Sequence, residues 1–239
     1  MTKKTLNQNS KFINDLINTV SPDLKFSSKP INRFKKIQEK KQISLKNKKD
    51  QLLKLREDIN SIENCNLKEN SKNLIFGEGS LNNQIMIIGE APGPNEENDG
   101  LPFQGEVGSL LNKMFLAINI NREKLYLTYA INYRPPQDRK PTSYEIKRYS
   151  HFLKEHISII NPKIIILMGA TAMEAIMGPN KKISQERGKW KEIILKNNTF
   201  PLIITYSPSY LLRFPENKKY SWSDLKNLKQ KIIELDINI

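Results

Sequence analysis

From about residue 50 onward, short apolar runs alternate with stretches of helical periodicity. The runs at 84–89, 125–131, 163–168 and 201–206 are bounded by turn formers and show no strict apolar/polar alternation. That pattern predicts strands buried on both faces, as in parallel sheets. Between them, Leu52, Leu55, Ile59 and Ile62 recur at helical spacing, and Val107, Leu110, Leu111, Met114, Phe115 and Ile118 form a second helical face. Thr142 followed by Glu145 predicts a capping box at the start of another helix. Strands alternating with helices give an α/β fold, and right-handed crossovers cover both faces of the sheet. Residues 1–44 are polar and basic without sustained periodicity, so the expected organisation is a flexible leader, 1–44, before an α/β domain, 45–239.

Composition narrows the class. The chain of 239 residues is 38% hydrophobic, enough for one packed core. Its one cysteine, Cys65, excludes an internal disulfide, and the sequence offers neither a membrane-spanning run nor a secretory leader. A cytoplasmic protein without membrane attachment is expected. The net charge of +14 favours a polyanionic partner. Residues 1–50 hold 13 Lys and Arg against 4 Asp and Glu, which leaves +5 for the rest. Such a leader suits either nucleic-acid contact or simple solvation.

Candidate chemistry concentrates in residues 89–105, directly after the apolar run Ile85-Met86-Ile87-Ile88. Ligands of open α/β sheets bind beyond the carboxyl ends of the strands. Gly89-Glu90-Ala91-Pro92-Gly93 lacks the Gly-Lys-Ser/Thr of a phosphate loop and the spacing of a dinucleotide fingerprint. A tight turn explains the glycines and prolines. It does not explain why Glu90, Glu96, Glu97 and Asp99 crowd a loop that then delivers Phe103; these carboxylates are either site residues or solvated surface charge.

Four ordered motifs, Gly89-Glu90-Ala91-Pro92-Gly93, Gly100-Leu101-Pro102-Phe103-Gln104-Gly105, Tyr133-Arg134-Pro135-Pro136-Gln137-Asp138-Arg139-Lys140-Pro141 and Ser207-Pro208-Ser209-Tyr210-Leu211-Leu212-Arg213, resemble those of family-four-type uracil-DNA glycosylases. Phe76-Gly77-Glu78-Gly79 and Arg187-Gly188-Lys189-Trp190 extend the likeness, which runs from about Leu55 to Ile233. It implies a three-layer αβα sandwich around a four-stranded parallel sheet. It also implies base flipping: a glycosylase extrudes the nucleotide, stacks the base on an aromatic and reads its edge. Phe103 matches the stacking aromatic, with a core phenylalanine as the alternative. Bond cleavage builds positive charge on the sugar and negative charge on the departing base. Glu90 and Glu96 match site carboxylates, Glu90 near the base or sugar and Glu96 positioning water or stabilising the cation. The backbone N–H groups at Ala91 and Gly93 are candidates for holding the base carbonyl. The segment from Thr205 to Arg213 matches the family's final, DNA-entering loop, in which Leu211 or Leu212 fills the vacated gap while Arg213 and nearby lysines meet phosphates; an amphipathic helix start with Tyr210, Leu211 and Leu212 in the core fits the same residues.

Three departures from the family's pattern matter. Its original branch holds an iron-sulfur cluster on four cysteines, matched here by Ile62, Cys65, Tyr133 and Tyr149. One thiolate cannot hold a cluster, so no cofactor is expected, with Tyr133 and Tyr149 packing in its place as in cluster-free members. The histidine that normally opens the last motif is Ser207, a neutral and weaker stabiliser of an anionic leaving group. His151 and His156 sit in the predicted helix after Thr142 and fit structural or surface roles. The family's base-reading asparagine is Tyr129, which offers one hydroxyl on a large ring instead of a paired donor and acceptor. The expectation is a monomeric DNA-repair hydrolase that removes uracil or a related deaminated base. A weak or inactive DNA-binding homologue is the alternative.

Overall fold

The computed structural model describes residues 33–237. The first 32 residues of the expected leader lie outside them. In helix α1, Arg33–Asn60, Leu52, Leu55 and Ile59 bury the predicted face. Short α2, Asn66–Glu69, precedes β1, Ile85–Gly89. Then come α3, Pro94–Asp99, α4, Gly105–Leu116, and β2, Leu125–Tyr129. They are followed by α5, Ser143–Ile160, β3, Ile164–Met168, α6, Ala170–Met177, and the short α7, Ile183–Glu186. The hairpin of β4, Trp190–Leu195, and β5, Asn198–Thr205, leads into α8, Pro208–Arg213, and α9, Lys218–Glu234.

The sheet has five strands in the order β2-β1-β3-β5-β4. Strands β1, β2, β3 and β5 pair in parallel, as their uninterrupted apolar runs predicted, and every residue of β1, β2 and β3 is buried. The expected four-stranded parallel sheet is corrected by β4, which pairs antiparallel with β5. Its residues are half-buried or exposed, so Trp190-Lys191-Glu192-Ile193-Ile194-Leu195 carries no buried-strand signature. Lys196 and Asn197, both at positive φ, make the two-residue turn that a right-twisted hairpin requires. On the far edge, Glu78 bridges to Leu127 of β2.

Alternate strand residues feed two cores. Met86, Ile88, Ile165, Leu167 and Leu202 pack with α1, α5 and α6, whereas Ile85, Ile87, Leu127, Ile166 and Ile203 pack with α4 and α9. Three layers result, as expected. The capping box forms as read: the Thr142 hydroxyl accepts the Glu145 N–H at 3.3 Å, and the Glu145 carboxylate accepts the Thr142 N–H at 2.8 Å.

His156 of α5 is buried at 2% exposure, stacked on Phe76 with centroids 4.5 Å apart, and its Nε2 lies 2.8 Å from the Tyr126 hydroxyl. Burial pushes its pKa down to about 3. The unfolded chain therefore takes up a proton near pH 6.5 that the folded chain refuses, and stability falls as pH drops from there toward 3. In His156→Gln that component disappears. Denaturant unfolding from pH 4 to 6 is expected to show the wild-type stability rising more steeply than the variant's, by about 1.4 kcal/mol per pH unit.

Candidate active site

The carboxyl ends of β1, β2, β3 and β5 open onto one cleft of about 740 Å³, whose wall includes Gly89, Tyr129, Gly169 and Tyr206 from those four strand ends. Glu90, Glu96, Phe103, Ser207, Ala91 and Gly93 line the same cleft. The residues named from sequence for contact with the base and sugar therefore converge, whereas Leu211 and Leu212 lie outside the cleft wall.

Glu90 leaves β1 and turns toward the start of α6. Its Oε1 accepts the Thr171 N–H at 3.1 Å, so one oxygen is pinned to the positive end of that helix. Gly169 makes this possible: a Cβ there would lie 2.2 Å from Glu90 Cδ, and the residue holds φ at +104°, where a side chain is strained. Neither Gly169 nor Thr171 was named from the sequence. The available signal was a glycine between the apolar run ending at Met168 and a helical stretch.

Glu96 is buried, and both its oxygens are engaged. Oε2 accepts the Gly93 N–H at 2.9 Å, while Oε1 accepts the Gln104 N–H at 3.0 Å and the Tyr129 hydroxyl at 3.2 Å. The Gly93 N–H is therefore occupied, which corrects its assignment as a free donor for a base carbonyl. Next door, Glu97 accepts the Lys72 N–H and the Ser71 hydroxyl and pairs with Arg134 at 2.9 Å.

Phe103 is buried at φ +53° and stacks on Tyr129, with ring centroids 4.8 Å apart and planes 29° from parallel. The Tyr129 hydroxyl accepts the Phe103 N–H at 3.0 Å. Gly89 lets both rings approach the sheet, since a Cβ there would lie 2.6 Å from the Tyr129 ring and 2.7 Å from Phe103. Burial, and then the Glu96 charge, raise the Tyr129 pKa well above the usual phenol range, so the ring stays neutral. Arg122, also unread from sequence, clamps the Phe103 loop: it donates to the carbonyls of Pro102 at 2.7 Å and Phe103 at 3.2 Å while pairing with Glu78 at 2.6 Å.

Ser207 caps α8, its hydroxyl accepting the Tyr210 N–H at 3.4 Å and lying 3.1 Å from the Ser209 hydroxyl. Leu211 is buried at 1%, which removes it as a DNA-entering side chain, whereas Leu212 is 36% exposed. Arg213 is exposed at the cleft lip. His151 and His156 do not line the cleft.

The positions matched to cluster cysteines hold aromatic packing. Cys65 Sγ lies 3.3 Å from the Tyr149 hydroxyl, Tyr133 donates to Asn60 Oδ1 at 2.8 Å, and the two tyrosine rings meet edge to face with centroids 6.5 Å apart. One buried thiol hydrogen-bonded to a phenol does not fit an iron-sulfur cluster. Among the described residues no group of three or more His, Cys, Asp or Glu could hold a metal ion.

Comparison with known proteins identifies the family. The family described as the uracil DNA glycosylase superfamily matches residues 76–229. The chain is similar to the type-4 uracil-DNA glycosylase of Thermotoga maritima, 37% identical over 155 residues, which cover 64% of this chain and 79% of that protein. It is also similar to that of Sulfurisphaera tokodaii, 36% identical over 189 residues, covering 76% and 84%. That of Pyrobaculum aerophilum is 34% identical over 168 residues, covering 69% and 86%.

The Gly169 contact gives a structural prediction. In Gly169→Ala the new methyl and the strained φ are expected to expel the Glu90 carboxylate from the Thr171 N–H and to lower unfolding stability by about 1–3 kcal/mol. A crystal structure and urea denaturation check both; an unmoved Glu90 overturns the assignment of Gly169 as its seat.

Proposed function

Because the chain belongs to the uracil-DNA glycosylase superfamily, we propose that it hydrolyses the N-glycosidic bond of uracil, or of a related deaminated base, in DNA. The observation that carries this reading is Glu90, pinned by one oxygen to the Thr171 N–H in the cleft that also holds Phe103. A flipped base enters the cleft against Phe103, and the Glu90 carboxylate stands beside the sugar, where positive charge grows as the bond from C1′ to the base nitrogen breaks. The bonding electrons leave with the base. Water adds at C1′, its proton is lost to the base or to solvent, and an abasic site remains.

Glu96 acts in this reading through position. Its three donors fasten Gly93, Gln104 and Tyr129 together, and so set the distance between Glu90 and the aromatic wall. Tyr129 spends its hydroxyl on Phe103 and Glu96, so it presents no paired donor and acceptor to a pyrimidine edge. Base selection then falls to shape and to the main chain near Ala91. Ser207, engaged with Tyr210 and Ser209, supplies at most a neutral hydroxyl to the departing base. Leu212 and Arg213 supply the wedge and a phosphate contact. The basic leader adds nonspecific affinity for phosphates, and the protein works as a cytoplasmic monomer without a bound cofactor.

Incubation with a uracil-containing single strand followed by alkali is expected to give strand scission. Glu90→Ala lowers the rate about 100- to 1000-fold, the usual cost of one electrostatic stabiliser. No scission above the Glu90→Ala background sinks the proposal. Tyr129→Asn, which returns an amide to the wall, is expected to raise uracil excision; an unchanged rate detaches Tyr129 from base selection.

A further inference from the structure

From the cleft wall outward, four rings and a guanidinium form a continuous ladder that the excision chemistry does not use. Phe214 packs on Tyr210 with centroids 4.9 Å apart, and Tyr210 stacks on Tyr206 at 4.8 Å. The Arg187 guanidinium lies 5.7 Å from the Tyr206 ring centre and 5.2 Å from that of Tyr220, and Lys219 Nζ lies 5.1 Å from Tyr220. Arg187 is held in place by an ion pair with Asp224, which also accepts the Thr205 hydroxyl at 2.8 Å. The middle of the ladder, Tyr206 and Tyr210, lines the cleft. Its ends are open: Phe214 is 45% and Tyr220 43% exposed, beside Arg213, Lys218 and Lys219.

We propose that this ladder is a stacking platform for single-stranded DNA, receiving unpaired bases next to the nucleotide held in the cleft. Two large exposed aromatics beside three exposed cations, Arg213, Lys218 and Lys219, suit a polyanion with flat apolar faces. Every base has such a face, so the surface is indifferent to sequence. Paired bases are already stacked on their neighbours, so only an unpaired strand gains from it. The platform is continuous with the cleft through Tyr206 and Tyr210, which places the occupant on the same strand as the extruded nucleotide. The inference rests on the reading that the chain acts on DNA, and it adds strand preference to it.

The test uses the full chain and two uracil-free probes, an oligothymidylate and a strand of equal length whose sugars carry no bases. Phe214→Leu and Tyr220→Leu are each expected to weaken oligothymidylate binding about tenfold and to leave the baseless strand within about twofold, because the leucine keeps the apolar volume and loses the stacking face. Phe214→Trp keeps the affinity, and its added fluorescence is quenched by oligothymidylate. Equal losses on both probes, or no loss on either, overturn the platform. Since neither probe contains uracil, that outcome leaves the excision reading to the scission assay.

Discussion

The geometry of the cleft depends on one buried carboxylate. Glu96 collects the Gly93 N–H, the Gln104 N–H and the Tyr129 hydroxyl, one from the turn after β1, one from the Phe103 loop and one from the end of β2. A buried anion is tolerated only when its lone pairs are satisfied, and charge-assisted hydrogen bonds are the strong ones. Two neighbouring loop segments and the more distant end of β2 are thereby brought to fixed separations. Around that knot the other fasteners make sense: Arg122 holds the outer side of the Phe103 loop, Arg134 with Glu97 holds the back of α3, and Gly169 leaves the space into which Glu90 turns. The sheet supplies the platform, and Glu96 supplies the spacing.

Much of this was legible in the sequence where the cause is local. Ile85-Met86-Ile87-Ile88 and Ile164-Ile165-Ile166-Leu167 read as strands because burial on both faces demands unbroken apolar runs, and Thr142 with Glu145 read as a cap because the box closes within four residues. Strand β4 was not legible, since an edge strand with half-wetted faces needs neither an apolar run nor a clean alternation. In the site, Glu90 and Phe103 were named through motif resemblance. The connections that fix them were hidden, because a Thr171 amide meeting Glu90, or a Tyr129 hydroxyl meeting Glu96, depends on crossovers that bring distant strand ends together. Leu211 and Leu212 show the limit most plainly: neighbouring identical residues, one in the core and one at the surface, separated only by the helix's rotation.

The departures from the family's pattern are of two physical kinds. At the positions matched to cluster cysteines, Cys65, Tyr133 and Tyr149 join the segments near α1, β2 and α5 through ring packing and hydrogen bonds. At Tyr129 the change falls on the cleft itself, and the phenol is absorbed into the scaffold by hydrogen bonds to Phe103 and Glu96. The first exchanges one structural fastener for another. The second converts a group that faces the ligand into one that faces the protein.

The two margins of the sheet are finished differently. Along β2 the backbone bridge from Glu78 to Leu127 closes part of the margin with the chain's own main chain. The opposite margin belongs to β4, where Lys191 and Glu192 interrupt the apolar residues and the strand ends in the Lys196–Asn197 turn. Exposed strand margins invite copies of the same chain to add on, and charges placed along them make such growth unfavourable. The strand least visible in the sequence is thus the one that keeps the most apolar part of the molecule, the parallel centre of the sheet, from templating aggregation.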